Sequence, residues 1–261
     1  MLDAAFSGLA AIVLLAVLTW IVSLARRDVS VVDSLWSVFI TSAGIVYAVL
    51  LPWTSARPTL MLALALAWAL RLSIYIAWRN HGHGEDRRYQ QIRARNEPHF
   101  GLKSLYLIFG LQAVLAWIVS APFLAGIGGS NPINALDIAG AALAAFGIAF
   151  EAAGDQQMAR FKADPANQGQ VMDRGLWRYT RHPNYFGECF TWWWLFVIAL
   201  AAGGAWWSIV SPLLMTLLLL KVSGVSLLET DIGERRPAYR DYIARTSAFV
   251  PRSPRDNKER A

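Results

Sequence analysis

Polar and apolar residues fall along this chain in blocks. Seven apolar stretches lie near Leu2–Ala25, Val31–Leu51, Leu60–Trp78, Leu105–Ala125, Ile133–Ala153, Phe186–Ala202 and Ala205–Leu228, separated by connectors of sharply different character. A bilayer core takes roughly 20 helical residues to cross. Backbone inside it must satisfy its own hydrogen bonds, which leaves helices or closed barrels. Nothing in these stretches suggests strands of the barrel type, so the expected fold is all-α. The pattern predicts a polytopic integral membrane protein with seven transmembrane helices.

Composition supports that reading. Only 16% of the 261 residues are charged, against about 25% in soluble domains, and mean hydropathy is +0.37. The lone Cys189 excludes an intramolecular disulfide framework. The first apolar run has its arginines, Arg26 and Arg27, after it and no small-residue cleavage site, so it reads as an anchor rather than a signal peptide. The connectors after the first, third and fifth stretches, together with the tail, hold 21 of the 24 Lys and Arg residues, and the other connectors hold only Arg57. The positive-inside rule then places the N-terminus outside, the C-terminus in the cytosol and an odd number of crossings between them. The tail is too short and too charged to fold alone, so residues 1–261 are expected to form a single membrane domain with its chemistry at the cytosolic face.

Several residues could carry that chemistry. Arg71 lies inside the third apolar stretch, where an arginine either snorkels or serves a function. Trp68, Arg71, Tyr75 and Trp78 share one helix face, which suits the wall of a cavity or an interfacial belt. Asp33, at the start of the second stretch, needs a partner or a proton. Arg26 or Arg27 could pair with it, or it could act as a catalytic acid. Glu151 and Asp155 share a face at the end of the fifth stretch, suited to ribose hydroxyls and cations or to pairing with Arg160 and Lys162. The loop HGHGEDRRY places His81, His83 and Glu85 at alternate positions, weak grounds for a metal. Its Arg87 and Arg88 suit a phosphate better, and no metal is expected. The segment ERRPAYRDYIARTSAFVP reads as a surface helix on anionic lipid or as a lid. Phosphate loops and dinucleotide fingerprints of soluble folds are missing from the sequence.

The densest stretch is GLWRYTRHPNYFGE, Gly175–Glu188, set directly before Cys189-Phe190-Thr191-Trp192-Trp193-Trp194. It resembles the hallmark of the membrane steroid 5α-reductase superfamily, in the bacterial branch known as domain of unknown function 1295. Its NYFGE ending is similar to the reductases' motif. The RHPNY form is similar to sterol C14 reductases, and RHPxYxG to isoprenylcysteine carboxyl methyltransferases. The resemblance covers Asp155 through the tail well. The N-terminal half matches mainly by helix pattern, Arg71 and the Gly-Glu-Asp-x-Arg-Tyr loop at Gly84–Tyr89.

The resemblance implies NADPH as cofactor, held by residues 131–261, with residues 1–130 as the substrate-side half, in the inner membrane of a bacterium. Asn184, Glu188, Asp155, Lys162 and Arg71 match family cofactor contacts. Arg79, Arg87, Arg88, Arg178 and Arg181 are candidates for the phosphates, with Tyr179, His182 and Tyr185 beside them in the motif. Trp36, Trp68 and Trp192 are candidate contacts for a lipophilic substrate. The reductases' substrate-polarising Glu and Tyr are not kept: Asp33 stands in a different local sequence and Trp68 takes the Tyr position. Asp33 and Tyr75 are the candidate catalytic groups. The leading expectation is reduction of a carbon–carbon double bond in a lipophilic enone, with lipid and a small lipophilic molecule as partners and no nucleic acid. The alternatives are an S-adenosylmethionine-dependent methyltransferase of an isoprenoid or lipid, and a non-enzymatic lipid-binding protein.

Overall fold

The computed structural model describes residues 1–203, 206–222, 225, 229, 232–235 and 237–255. Among them every regular element is helical. The main helices are α1 (Leu2–Arg26), α2 (Val31–Leu50), α3 (Arg57–Asn80), α4 (Arg87–Asn96), α5 (Phe100–Ile127), α6 (Ala135–Ala163), α7 (Pro183–Ala201), α8 (Trp206–Val222) and α9 (Tyr239–Arg245). Five of these, α1, α2, α3, α5 and α6, are long and apolar enough to cross a membrane. The sixth expected span is the 19-residue α7, whose first two turns carry Asn184, Tyr185 and Glu188. The seventh is the shorter α8, and Ala205 and residues 223, 224 and 226–228 of that expected span lie outside the described residues. The chain is a multi-pass membrane protein by the length and composition of these helices.

Contacts divide the chain into two compact units, residues 1–141 with 195–211 and residues 142–194 with 212–261. In the first, α1 packs on α2 and α2 on α3. Hydrophobicity does not hold apolar helices together once lipid surrounds them, so packing and interhelical hydrogen bonds must. Ser37 Oγ donates to the Ala69 carbonyl at 3.1 Å and lies 2.9 Å from Ser73 Oγ. Tyr47 OH and Ser120 Oγ are 2.9 Å apart. The indoles of Trp20 and Trp117 donate to the carbonyls of Gly101 and Ala5 at 2.8 and 2.9 Å, tying the two ends of α1 to α5.

Pro58 near the start of α3 suits a position whose N–H lacks a helical partner. Next to it stands the unit's most deeply buried ion pair. Arg57 and Asp137 have fully buried side chains, with Nε to Oδ1 at 2.7 Å and Nη2 to Oδ2 at 2.9 Å. The remaining Arg57 donors reach the carbonyls of Asn131, Pro132 and Ala201. Every polar side-chain atom of this pair is thus given a partner.

Candidate functional site

The second unit is built on a close helix crossing. A Cβ on Gly187 would stand 2.6 Å from the Glu151 nitrogen and 2.7 Å from the Gly147 carbonyl oxygen, and one on Gly154 would stand 3.2 Å from the Asn184 nitrogen. Only glycine lets α6 and α7 approach to backbone contact. Thr191 Oγ donates across the crossing to the Ala144 carbonyl of α6 at 3.4 Å and within α7 to the Gly187 carbonyl at 2.9 Å. The approach gathers Glu151, Asp155 and Glu188, all buried, beside Asn184 at the start of α7. The Asn184 Oδ1 is buried and has no hydrogen-bond partner among the described residues. Tyr185 is half-buried, its ring stacked on His182 at 5.4 Å, and Trp192 is fully buried one turn beyond Glu188.

The segment leading into α7 is a folded turn. Gly175 has φ of 56°, and Gln157 Oε1 accepts from the Leu176 N–H at 2.9 Å. The buried Trp177 indole donates to the Gly154 carbonyl at 2.9 Å. Arg181 and His182 are also buried, and both face Glu229. Arg181 donates from Nε and Nη2 to the two Glu229 oxygens at 2.7 Å each, and from Nη1 to the carbonyls of Ile243 and Thr246. His182 Nε2 lies 2.9 Å from Glu229 Oε1. Burial alone would raise the Glu229 pKa, but Arg181 and His182 outweigh it and hold it at about 2.

Residues 242–252 are thereby strapped to this turn. Tyr242 OH donates to the Trp177 carbonyl, Thr180 Oγ to the Phe249 carbonyl at 2.7 Å, Arg181 N–H to the Ser247 carbonyl at 2.9 Å, and Arg252 N–H to the Tyr179 carbonyl at 2.9 Å. The expected surface helix or lid is, over these residues, a strap with Tyr242 buried beneath it. Arg178, Tyr179 and Lys162 are exposed.

In the first unit, Asp33 is bound by neither Arg26 nor Arg27. Arg88 Nη2 donates to its Oδ2 at 2.8 Å and Tyr89 OH to its Oδ1 at 2.6 Å. Two features bring them there. Asp86 caps α4 by accepting from the Arg88 N–H at 2.9 Å, and Glu85 accepts from the Val29 N–H at 3.0 Å and from Arg93 at 2.7 and 2.9 Å. Burial and the Asp33 charge push the Tyr89 hydroxyl well above its ordinary range. Arg88 is thus engaged with carboxylates, Arg87 is exposed, and Glu85 is committed to Arg93. On α3, Trp68 is buried, Arg71 and Tyr75 are half-buried, and Arg79 lies over the Tyr75 ring at 6.0 Å. Trp36 on α2 is half-buried.

A family model described as a protein of unknown function, DUF1295, matches residues 19–246. The chain belongs to the DUF1295 family. That family is part of the steroid 5α-reductase superfamily. No curated protein and no solved structure matches the chain.

The match spans α4 and reaches into the strap as far as residue 246. Three residues of this DUF1295 chain carry more of the site than their sequence positions suggest. Glu229 was legible only as an acid just past an apolar stretch. Tyr89 was legible as the last residue of the Gly-Glu-Asp-x-Arg-Tyr loop but with no role of its own, and Gln157 as one polar residue among several. Each acts on a residue outside its own element, 47 residues away between His182 and Glu229, 56 between Asp33 and Tyr89 and 19 between Gln157 and Leu176, and no local pattern announces that.

Proposed function

We propose that this protein is an NADPH-dependent membrane reductase of a carbon–carbon double bond in a lipophilic enone. One observation carries the reading beyond the superfamily. Asn184 opens α7 with a buried Oδ1 that no described residue satisfies, and a buried acceptor of that kind is costly unless a ligand completes it. A carboxamide N–H is a matching donor. Beside it, the buried Asp155 suits ribose hydroxyls, and the exposed Arg160 and Lys162 at the end of α6 suit phosphate. The donor set fits a pyridine dinucleotide, which when bound supplies a hydride. Arg181 and His182 contribute indirectly, since their polar groups are engaged with Glu229 and strap carbonyls and keep the turn before Asn184 in shape.

On the acceptor side the proposal retains Asp33 and Tyr75. Asp33 accepts from both Arg88 and Tyr89, so its part in proton delivery runs through the Tyr89 hydroxyl. The test is Asn184→Ala. Because Oδ1 makes no bond among the described residues, the variant should unfold within about 1 kcal/mol of the native chain. It should also lose the thermal stabilisation that NADPH gives the detergent-solubilised protein. Equal stabilisation of variant and native chain by NADPH would sink the assignment. Stabilisation by S-adenosylmethionine instead would turn the reading to a methyltransferase, and by neither to a lipid-binding protein.

A further inference from the structure

The second unit also holds a basic cleft of about 590 Å³, lined by Asp173, Arg174 and Arg178 on one side and by Arg245, Thr246 and Arg255 on the other. Its single acid is already engaged, since Asp173 accepts from Arg245 Nη2. Arg174, Arg178 and Arg255 therefore have no carboxylate partner among the described residues, and the closest polar contact of the Arg174 guanidinium is Gln170 Oε1 at 3.5 Å. Three guanidinium groups around one opening repel one another unless an anion sits between them.

The walls are fixed in place. Trp177 N–H donates to the Arg174 carbonyl at 3.1 Å, closing the turn that carries Arg174 and Arg178. Arg255 N–H donates to the Arg245 carbonyl at 2.9 Å, and Arg252 N–H holds Tyr179 from the strap. Thr246 Oγ reaches the Arg178 carbonyl at 3.5 Å. The strap thus supplies one wall and the turn the other, and the backbone that carries the arginines is held in place without a ligand, which lowers the entropic cost of binding.

The geometry points to a binding site for a phosphate monoester. A carboxylate has two acceptor oxygens and one charge, too few for three separated forks. A phosphate monoester has three acceptor oxygens and close to two charges, and guanidinium pairs with it in bidentate fashion. Two sources carry that group, a soluble nucleotide phosphate and the headgroup of phosphatidic acid. The nucleotide source rests on the reductase reading, since Arg178 is among the arginines that the resemblance sets beside the NADPH phosphates, and the lipid source does not.

The experiment titrates the full chain in detergent with adenosine 2′,5′-bisphosphate in one arm. The other arm uses short-chain phosphatidic acid, with short-chain phosphatidylcholine as the neutral-headgroup control, and both are read by calorimetry. At least one phosphomonoester should bind, more weakly as salt rises. The double variant Arg178→Gln/Arg255→Gln should weaken it about tenfold or more, and whichever arm responds names the source. Arg255→Gln alone changes one exposed side chain, keeps the test valid if the double variant does not fold, and should weaken binding about threefold or more. No binding in either arm, binding equal to the phosphatidylcholine control, or an affinity that these substitutions leave unchanged would overturn the site.

Discussion

Replacing Glu229 with Gln tests what holds the motif turn to the strap. The glutamine keeps the shape and one acceptor oxygen but removes the charge that faces Arg181 and His182. Both members of the main pair are mostly shielded, with side chains 8% and 16% exposed for Arg181 and Glu229. The Glu229 pKa falls from the ordinary 4.5 to about 2. At about 1.4 kcal/mol per pH unit that fall corresponds to roughly 3 kcal/mol, consistent with the ~3–5 kcal/mol cost of leaving a buried charge unpaired. Because the folded-state pKa is the lower one, this stability is fully present above pH 4.5 and is lost as pH falls towards 2. Denaturant unfolding of the detergent-solubilised chain, followed by tryptophan fluorescence, should therefore show Glu229→Gln about 2–3 kcal/mol less stable at pH 7. The gap should close as the pH drops from about 5 to about 2. Glu85 and Asp86, also held below their usual range against burial by arginines and backbone N–H groups, slope both curves equally and cancel in the difference. A gap that stays constant from pH 7 to pH 2.5, or no gap at pH 7, would refute the argument.

Two further outcomes follow from the packing. Gly187→Ala drives a methyl into the Glu151 nitrogen and the Gly147 carbonyl oxygen, atoms of backbone that cannot swing aside, so thermal unfolding should show a loss of about 1–3 kcal/mol or more. Arg57→Ala leaves Asp137 fully buried without its cation and should cost about 3–5 kcal/mol, whereas Arg57→Met with Asp137→Leu should recover most of that loss. A double variant no more stable than Arg57→Ala would contradict the paired-burial argument.

The apolar runs gave the helices to within a few residues. The runs predicted as Leu2–Ala25 and Val31–Leu51 are α1 (Leu2–Arg26) and α2 (Val31–Leu50), because a bilayer-length block of apolar residues has few other conformations available. Where hydropathy and helicity part, the reading stopped short. The fifth run was expected to end at Ala153, yet α6 continues to Ala163 through AGDQQMARFKA, rich in helix formers but not in apolar residues. α4 was read only as a charged loop, although Asp86 at its N-cap is a legible start signal. The motif turn was located correctly, but what its arginines do was not legible. Arg178 stays exposed at the cleft while Arg181, three residues on, is buried against Glu229. That difference comes from the strap, which sequence order places some sixty residues later.

The buried Arg57–Asp137 pair also sets an order of events during synthesis. The two residues are 80 positions apart, and translation adds about 5–20 residues per second. Arg57 is therefore made roughly 4–16 s before the carboxylate that will neutralise it. During that interval the guanidinium has to remain in water or among headgroups, because no described acid other than Asp137 lies against it. α3 can enter the bilayer early, but the end of it that carries Arg57 cannot be drawn into the packed interior until α6 emerges. The ion pair can therefore close only after about half of the chain has been made, and until then the Arg57 end of α3 lacks the partner it has in the finished fold.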